Sequence, residues 1–233
     1  MRRAVVGVLL VLTLAGCGGA EEPVVDPGIA QLGAAITAVS AARGEVLDAT
    51  QAIADGATAL DDVDEAAAAG EPAATKAARE RAAKATPATT KALASLPARL
   101  QAYRDALVAL ETGATTAQSL DQAQRGLLAA VGTTGAAEVA AVDALRKTGN
   151  GAWATYSRLD RISATWLERS TAGWYRTKAE GRQAYAVLVG DLRQALDKAR
   201  PALQRADTAT RAAARRVSTA LKEADAALEP LRP

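Results

Sequence analysis

The 233-residue sequence contains no histidine and no phenylalanine, and only one cysteine and one methionine. Without histidine or a spare thiol, the common zinc, copper and haem ligand sets cannot be assembled. The same absences rule out a Ser-His-Asp or Cys-His catalytic unit. Neither a GxxxxGK[ST] nor a GxGxxG loop is present to cradle phosphates. Carboxylates are what remains for chemistry, and the densest run is Asp61-Asp62-Val63-Asp64-Glu65. It lacks the Asp-x-Asp-x-Asp-Gly spacing and the glutamate at position twelve of a calcium loop. The expectation is a non-enzymatic protein with no catalytic residue and no metal ligand.

Aromatic residues are also scarce, with three Trp and four Tyr in the whole chain. Hydrophobic residues make up 49%, but alanine supplies much of that share. A core of Ala, Leu and Val suits closely packed helices better than a thick sandwich or an α/β sheet. Arg outnumbers Lys 21 to 7, a bias that goes with GC-rich coding.

The single cysteine has a telling context. Met1-Arg2-Arg3 is a short positive start, and Ala4 to Ala15 is apolar apart from Gly7 and Thr13. Twelve helical residues cover ~18 Å, well short of the ~30 Å hydrocarbon core of a bilayer. A positive start, a short apolar run and small residues after it make an export signal that is later removed. Leu14-Ala15-Gly16-Cys17 then resembles the lipobox of bacterial lipoproteins. The resemblance implies a diacylglyceryl group on the Cys17 sulfur and cleavage before Cys17. It also implies palmitate-type acylation and residence on the outer face of the cytoplasmic membrane. Two acyl chains suffice for stable anchoring where one does not. No later stretch approaches 18 consecutive apolar residues, so the mature chain is not expected to span a membrane. The organisation expected is a signal peptide over 1–16, a lipidated tether over 17–27 and a single helical domain over 28–230. Apart from the covalent diacylglycerol on Cys17, no cofactor is implied.

Asp26-Pro27 is a good helix start, with Asp as N-cap and Pro at the first helical position. Apolar positions then step by three and four: Ile29, Leu32, Ile36, Val39, Val46, Ile53, Ala57 and Leu60, with Arg43 and Thr50 in the intervening places. This heptad seam predicts a helix of ~42 residues ending near Gly70-Glu71-Pro72. A second helix is expected from Pro72 to Gly113, kinked or restarted at Pro87 and Pro97. Its better apolar face is Leu100, Tyr103, Leu107 and Leu110. A third is expected from about Thr116 to Leu145, interrupted at "GTTG" and closed by "KTGNG", and a fourth from Gly151 to about Arg200. Pro201 would open a fifth, with Leu203, Ala206, Ala213, Val217, Ala224 and Ala227 on its seam. The fold class expected is therefore all-α: an elongated, antiparallel up-and-down bundle of about five long, kinked helices with coiled-coil-like seams.

Charge is unevenly distributed. Between Cys17 and Pro72 there are eleven acids against Arg43 alone, a net of −10. Residues 73–112 and 193–233 each carry a net of +4. With Ile29 at heptad position a, Asp48, Asp55 and Asp62 all fall at f, farthest from the seam, and should face water. Basic residues are interspersed with acids, and an exported chain is not expected to bind nucleic acid.

Six of the seven aromatic residues lie between Trp153 and Tyr185. At 100° per residue Tyr156, Leu159, Ser163, Trp166, Ser170 and Trp174 share one ~80° stripe, the width of a core-facing surface. Trp153 lies off that stripe and Tyr175 is turned ~100° from Trp174, so these two are the candidate partner-binding residues. The functional expectation is a membrane-anchored lipoprotein whose bundle binds or positions an envelope protein or cell-wall component. The alternative is a carrier holding a lipid or small apolar ligand between helices, which requires a cavity of ~300 Å³ or more. An exported enzyme working with carboxylates alone is the third possibility.

Overall fold

The computed structural model describes residues 26–231, which form four helices and no strand. Cys17, the signal segment and most of the tether lie outside the described residues. The all-α, up-and-down expectation holds, but the helices number four rather than five. They are α1 (Pro27–Ala68), α2 (Pro72–Thr116), α3 (Gln122–Thr171) and α4 (Lys178–Leu228), followed by a short 3-10 turn, Glu229–Leu231. At 1.5 Å per residue, the 50 residues of α3 extend ~75 Å, so the bundle is a rod.

α1 begins and ends where the sequence signals place it, and α2 begins at Pro72 as expected but runs past Gly113 to Thr116. Asp26 caps α1 through a 2.8 Å bond from the Gly28 amide, and Pro27 opens the helix. Gly70 takes φ 70°, the left-handed conformation that suits glycine, and reverses the chain into Pro72. All the apolar a and d residues from Ile29 to Leu60 are buried except Ala57, which is half-buried.

The second half of the chain divides differently from the expectation, into two helices and not three. "KTGNG" is helical within α3, and the chain turns instead at Ala172–Thr177, where Gly173 has φ 76°. Gly149 has a packing role: a Cβ there would lie 3.1 Å from Leu93 Cδ2 of α2. The same holds at "GTTG", where a Cβ on Gly135 would lie 2.6 Å from Leu107 Cδ2. Pro201, expected to open a fifth helix, is likewise interior to α4, while Pro87 and Pro97 lie inside the single helix α2 that was expected to contain them. All three are exposed, so the helix positions they disrupt border water. An interior proline costs roughly 3 kcal/mol. Around Pro201 that cost is offset by the buried side chains of Leu196 and Leu203 and by Arg200, which is tied to α1.

The two ends of the rod differ. At one end the start of α1, the α2–α3 connection and the end of α4 meet. Asp26 accepts bonds from Gln118 and Ser119, and Gln124 donates to the Ala227 carbonyl at 3.0 Å. At the other, the α1–α2 turn meets the α3–α4 connector, where Lys178 pairs with Glu71. The core falls into two clusters along the axis, and half-buried Trp153 packs against both.

Close approach of α1 and α2 rests on Gly56, whose Cβ would lie 2.0 Å from Thr89 Oγ1; that hydroxyl donates to the Ala52 carbonyl at 2.8 Å. Gly44 on the same helix has open space at its Cβ. Replacing an interior helical glycine by alanine gains up to ~1 kcal/mol where nothing obstructs it. Gly44→Ala is therefore expected to raise the denaturation midpoint. Gly56→Ala is expected to lower it, by the ~1–3 kcal/mol of overpacking. Equal gains from both changes would contradict the packing described.

Candidate functional site

Three places in the rod concentrate polar or aromatic chemistry. The first is a buried centre linking all four helices. Arg43, at an a position of α1, donates through Nε to both Glu138 oxygens, at 3.1 and 2.8 Å, and through Nη2 to the Ala214 carbonyl of α4. Tyr103 of α2 donates to Glu138 Oε2 at 2.8 Å. Glu138 of α3 is fully buried. Burial, and then the Glu138 carboxylate, hold the Tyr103 phenol above its ordinary titration range.

The second centre lies in the other half of the core. Asp64, the next a position after Ala57, is buried and receives Tyr185 at 2.7 Å, Arg193 at 3.1 Å and Arg200 at 2.6 Å. Asp61 receives Arg200 at 2.6 Å and Tyr156 at 3.1 and 3.2 Å. Burial first, and the facing carboxylates second, raise both tyrosines above their usual range. Part of the acidic run thus faces the basic fourth helix rather than water. Of the f-position acids, Asp48 and Asp55 are exposed as expected, whereas half-buried Asp62 pairs with Arg81 of α2 at 3.2 Å.

This centre brings two carboxylates together, but their oxygens are engaged by arginine and tyrosine. The raised phenols keep their protons at neutral pH and act as hydrogen-bond donors. The adjoining cleft measures about 100 Å³, below the ~300 Å³ at which ligand sites begin. Among the described residues, no group of three or more His, Cys, Asp or Glu side chains is placed to hold a metal. What the arrangement does chemically is clamp α1 to α4.

The third place is the α3–α4 connector. Trp166 and Tyr156 are buried, as the stripe predicts. Trp166 donates Nε1–H to the Gly181 carbonyl at 2.8 Å and meets Tyr185 edge-on at 5.8 Å. Tyr175 stacks on Trp166 with centroids 6.5 Å apart. Tyr175 and Trp153 are both half-buried, the latter 6.5 Å from Tyr156. The projecting ring is Trp174, 67% exposed, with the Arg169 guanidinium 5.3 Å from its centroid. The stripe places Trp174 in the core because it assumes that the helix continues. It ends at Thr171, and the positive φ of Gly173 redirects the chain. Arg176, Lys178 and Arg182 surround this end and are exposed. A pocket of about 220 Å³ lies between Trp166, Tyr175, Arg176 and Pro72.

No family model, curated protein or solved structure matches the chain.

At the opposite end, Asp26 Oδ2 accepts the Ser119 hydroxyl at 2.6 Å and the Ser119 and Gln118 amides at 3.0 and 3.1 Å. The Ser119 hydroxyl, then the Ser119 and Gly28 amides, lower the Asp26 pKa from 3.8 to about 2. A depressed carboxylate stabilises the fold above its unfolded value, and that stability is lost as pH falls through the folded value. The window is thus from 3.8 down to about 2. Asp26→Ala is expected to lower the thermal midpoint at neutral pH and to converge with the unaltered protein near pH 2. Parallel curves over that window would contradict the assignment.

Proposed function

We propose that the chain is an exported, lipid-anchored, non-enzymatic bundle that holds its α3–α4 end away from the membrane and docks an envelope protein or cell-wall component there. The supporting observation is Trp174, a large aromatic ring left 67% exposed at the end of the rod opposite the start of α1. Exposed, rigidly placed Trp and Arg are the residue types that anchor interfaces. Arg169 fixes the ring, and the Tyr175–Trp166 stack fixes the segment that carries it. Of the two aromatic residues singled out from the sequence, Tyr175 borders the pocket beside this surface, while Trp153 lies inside the rod between the core clusters. Trp174 joins Tyr175 as the expected anchor.

A tether from Cys17 to Asp26 supports this orientation. At no more than ~3.6 Å per residue it spans roughly 30 Å at most, which keeps the start of α1 near the bilayer and lets a rod ~75 Å long carry the Trp174 end away from it. Commitment of Asp61 and Asp64 to arginine supports the non-enzymatic reading. For a carrier with its ligand inside the distal half, the clefts beside Tyr156 and Trp166 are small, at about 100 and 220 Å³ against the ~300 Å³ at which ligand sites begin.

Crosslinking in intact cells, with identification of the neighbours, tests the reading. An interface anchor contributes ~2 kcal/mol or more, so Trp174→Ala is expected to lose the crosslinked neighbour while keeping full helicity and membrane attachment. Cys17→Ala is expected to lose acyl labelling and to leave the precursor uncleaved. Unchanged neighbours in Trp174→Ala, or acyl labelling that survives Cys17→Ala, would contradict the proposal.

A further inference from the structure

A second surface feature lies toward the end of the rod where α1 begins. Between the last turns of α2 and the first turns of α3 runs a groove of about 450 Å³, within the ~300–1,000 Å³ of ligand sites. Its floor reaches the edges of Leu107, Leu110 and Leu128, each more than nine-tenths buried, and Ala114, Ala129 and Gly132 flank it. Arg125 closes the end nearest the α2–α3 connection, where its guanidinium donates to the Ala114 and Ala117 carbonyls at 2.9 and 2.8 Å. Glu111 stands on the α2 wall. One stretch of the helix that forms the other wall is apolar. An 18-residue window of α3 has a mean hydropathy of 1.3, enough by length and composition for a membrane span, yet only 33% of it is buried. Of the alanines exposed along this helix, Ala129 borders the groove.

We infer that this groove takes one acyl chain of an anionic membrane phospholipid, with the phosphate beside Arg125. The apolar walls remove methylene groups from water. A guanidinium already oriented by two carbonyls keeps donors in the planar geometry that phosphate oxygens fit. Glu111 disfavours a phosphate midway along the groove and so sets the direction of the lipid. The groove lies near the tethered end, within reach of the membrane, and for the source of the lipid the inference rests on the anchored reading.

The test uses the purified full chain in detergent micelles containing phosphatidylglycerol with a photoreactive diazirine at the end of one acyl chain. After irradiation the label is mapped by mass spectrometry and is expected to concentrate within residues 107–133. A Cβ at Gly132 meets nothing within 4 Å, so Gly132→Leu grows into the groove without disturbing the bundle. It is expected to cut labelling there roughly ten-fold, a loss of one order of magnitude in affinity. Arg125→Gln is expected to weaken labelling by this probe while leaving that by the corresponding diacylglycerol probe, which has no phosphate, unchanged. Label spread evenly over the surface, or undiminished in Gly132→Leu, overturns the inference. So does a dimer that Gly132→Leu dissociates without any lipid label in the groove, which would assign this face to a second copy. Micelles present the probe whether or not Cys17 is acylated, and the intact mass of the same preparation reports that acylation separately.

Discussion

An ion pair in the middle of the rod, Arg43 to Glu138, is the constraint on which the arrangement of the four helices depends. Seams of alanine, valine and leucine pack closely but resemble themselves a turn further along. A helix sliding past its neighbour therefore exchanges one set of small contacts for another at little cost. Charge removes that freedom. Glu138 is fully buried, and its oxygens are met by Arg43 of α1 and Tyr103 of α2, while Arg43 also reaches the Ala214 carbonyl of α4. Displacing α1 against α3 by one turn would leave a buried charge without its partner, at several kcal/mol, and displacing α2 or α4 would cost a hydrogen bond to that pair. A polar residue at an a position sets register in this way at some expense of stability. Asp64 does the same in the distal half, with Tyr185, Arg193 and Arg200.

This division of labour accounts for where the surface chemistry lies. The interior is used for registration, and its carboxylates, phenols and guanidinium groups are matched to one another. The surfaces proposed for recognition are outside: the Trp174 ring on its Gly173 turn at one end, and the groove between α2 and α3 toward the other. The charge asymmetry of the sequence has the same origin in part. Acids of α1 meet arginines of α2 and α4 through Asp62–Arg81, Asp61–Arg200 and Asp64–Arg193, while Asp48 and Asp55 face water.

Local signals were legible and long-range ones were not. The Asp26-Pro27 start, the Gly70-Glu71-Pro72 turn and the seam from Ile29 to Leu60 could be read because each is decided within a few residues. Arg43 stood out at an a position, and continuing the heptad would have put Asp64 on the seam as well. Their partners lie far along the chain, 95 residues away for Glu138, and no local pattern names them. Glycine was misleading because it serves two purposes. At Gly70 and Gly173 it supplies a positive φ. At Gly135 and Gly149 it lets a neighbouring leucine approach, and only the tertiary packing tells the two apart. A better sign of the true start of α3 was available in Asp121 and Gln124, which form a capping box. Assignment of Trp174 to the core failed because a helical phase means nothing beyond the last helical residue.

The claim that buried charge sets the register is tested most directly by a distance distribution between α1 and α3. Spin labels are placed on cysteines introduced at Gly44 and Gly151, where a Cβ meets nothing within 4 Å, in a chain with Cys17 replaced. Double electron–electron resonance is then recorded with the central polar residues intact and with Arg43→Met, Tyr103→Phe and Glu138→Leu combined. The intact protein is expected to give one narrow distance. The apolar replacement is expected to give a broadened or divided distribution, with a component displaced by about one helical turn, ~5.4 Å. A distribution that stays single, narrow and unshifted after all three polar residues are removed would contradict the account.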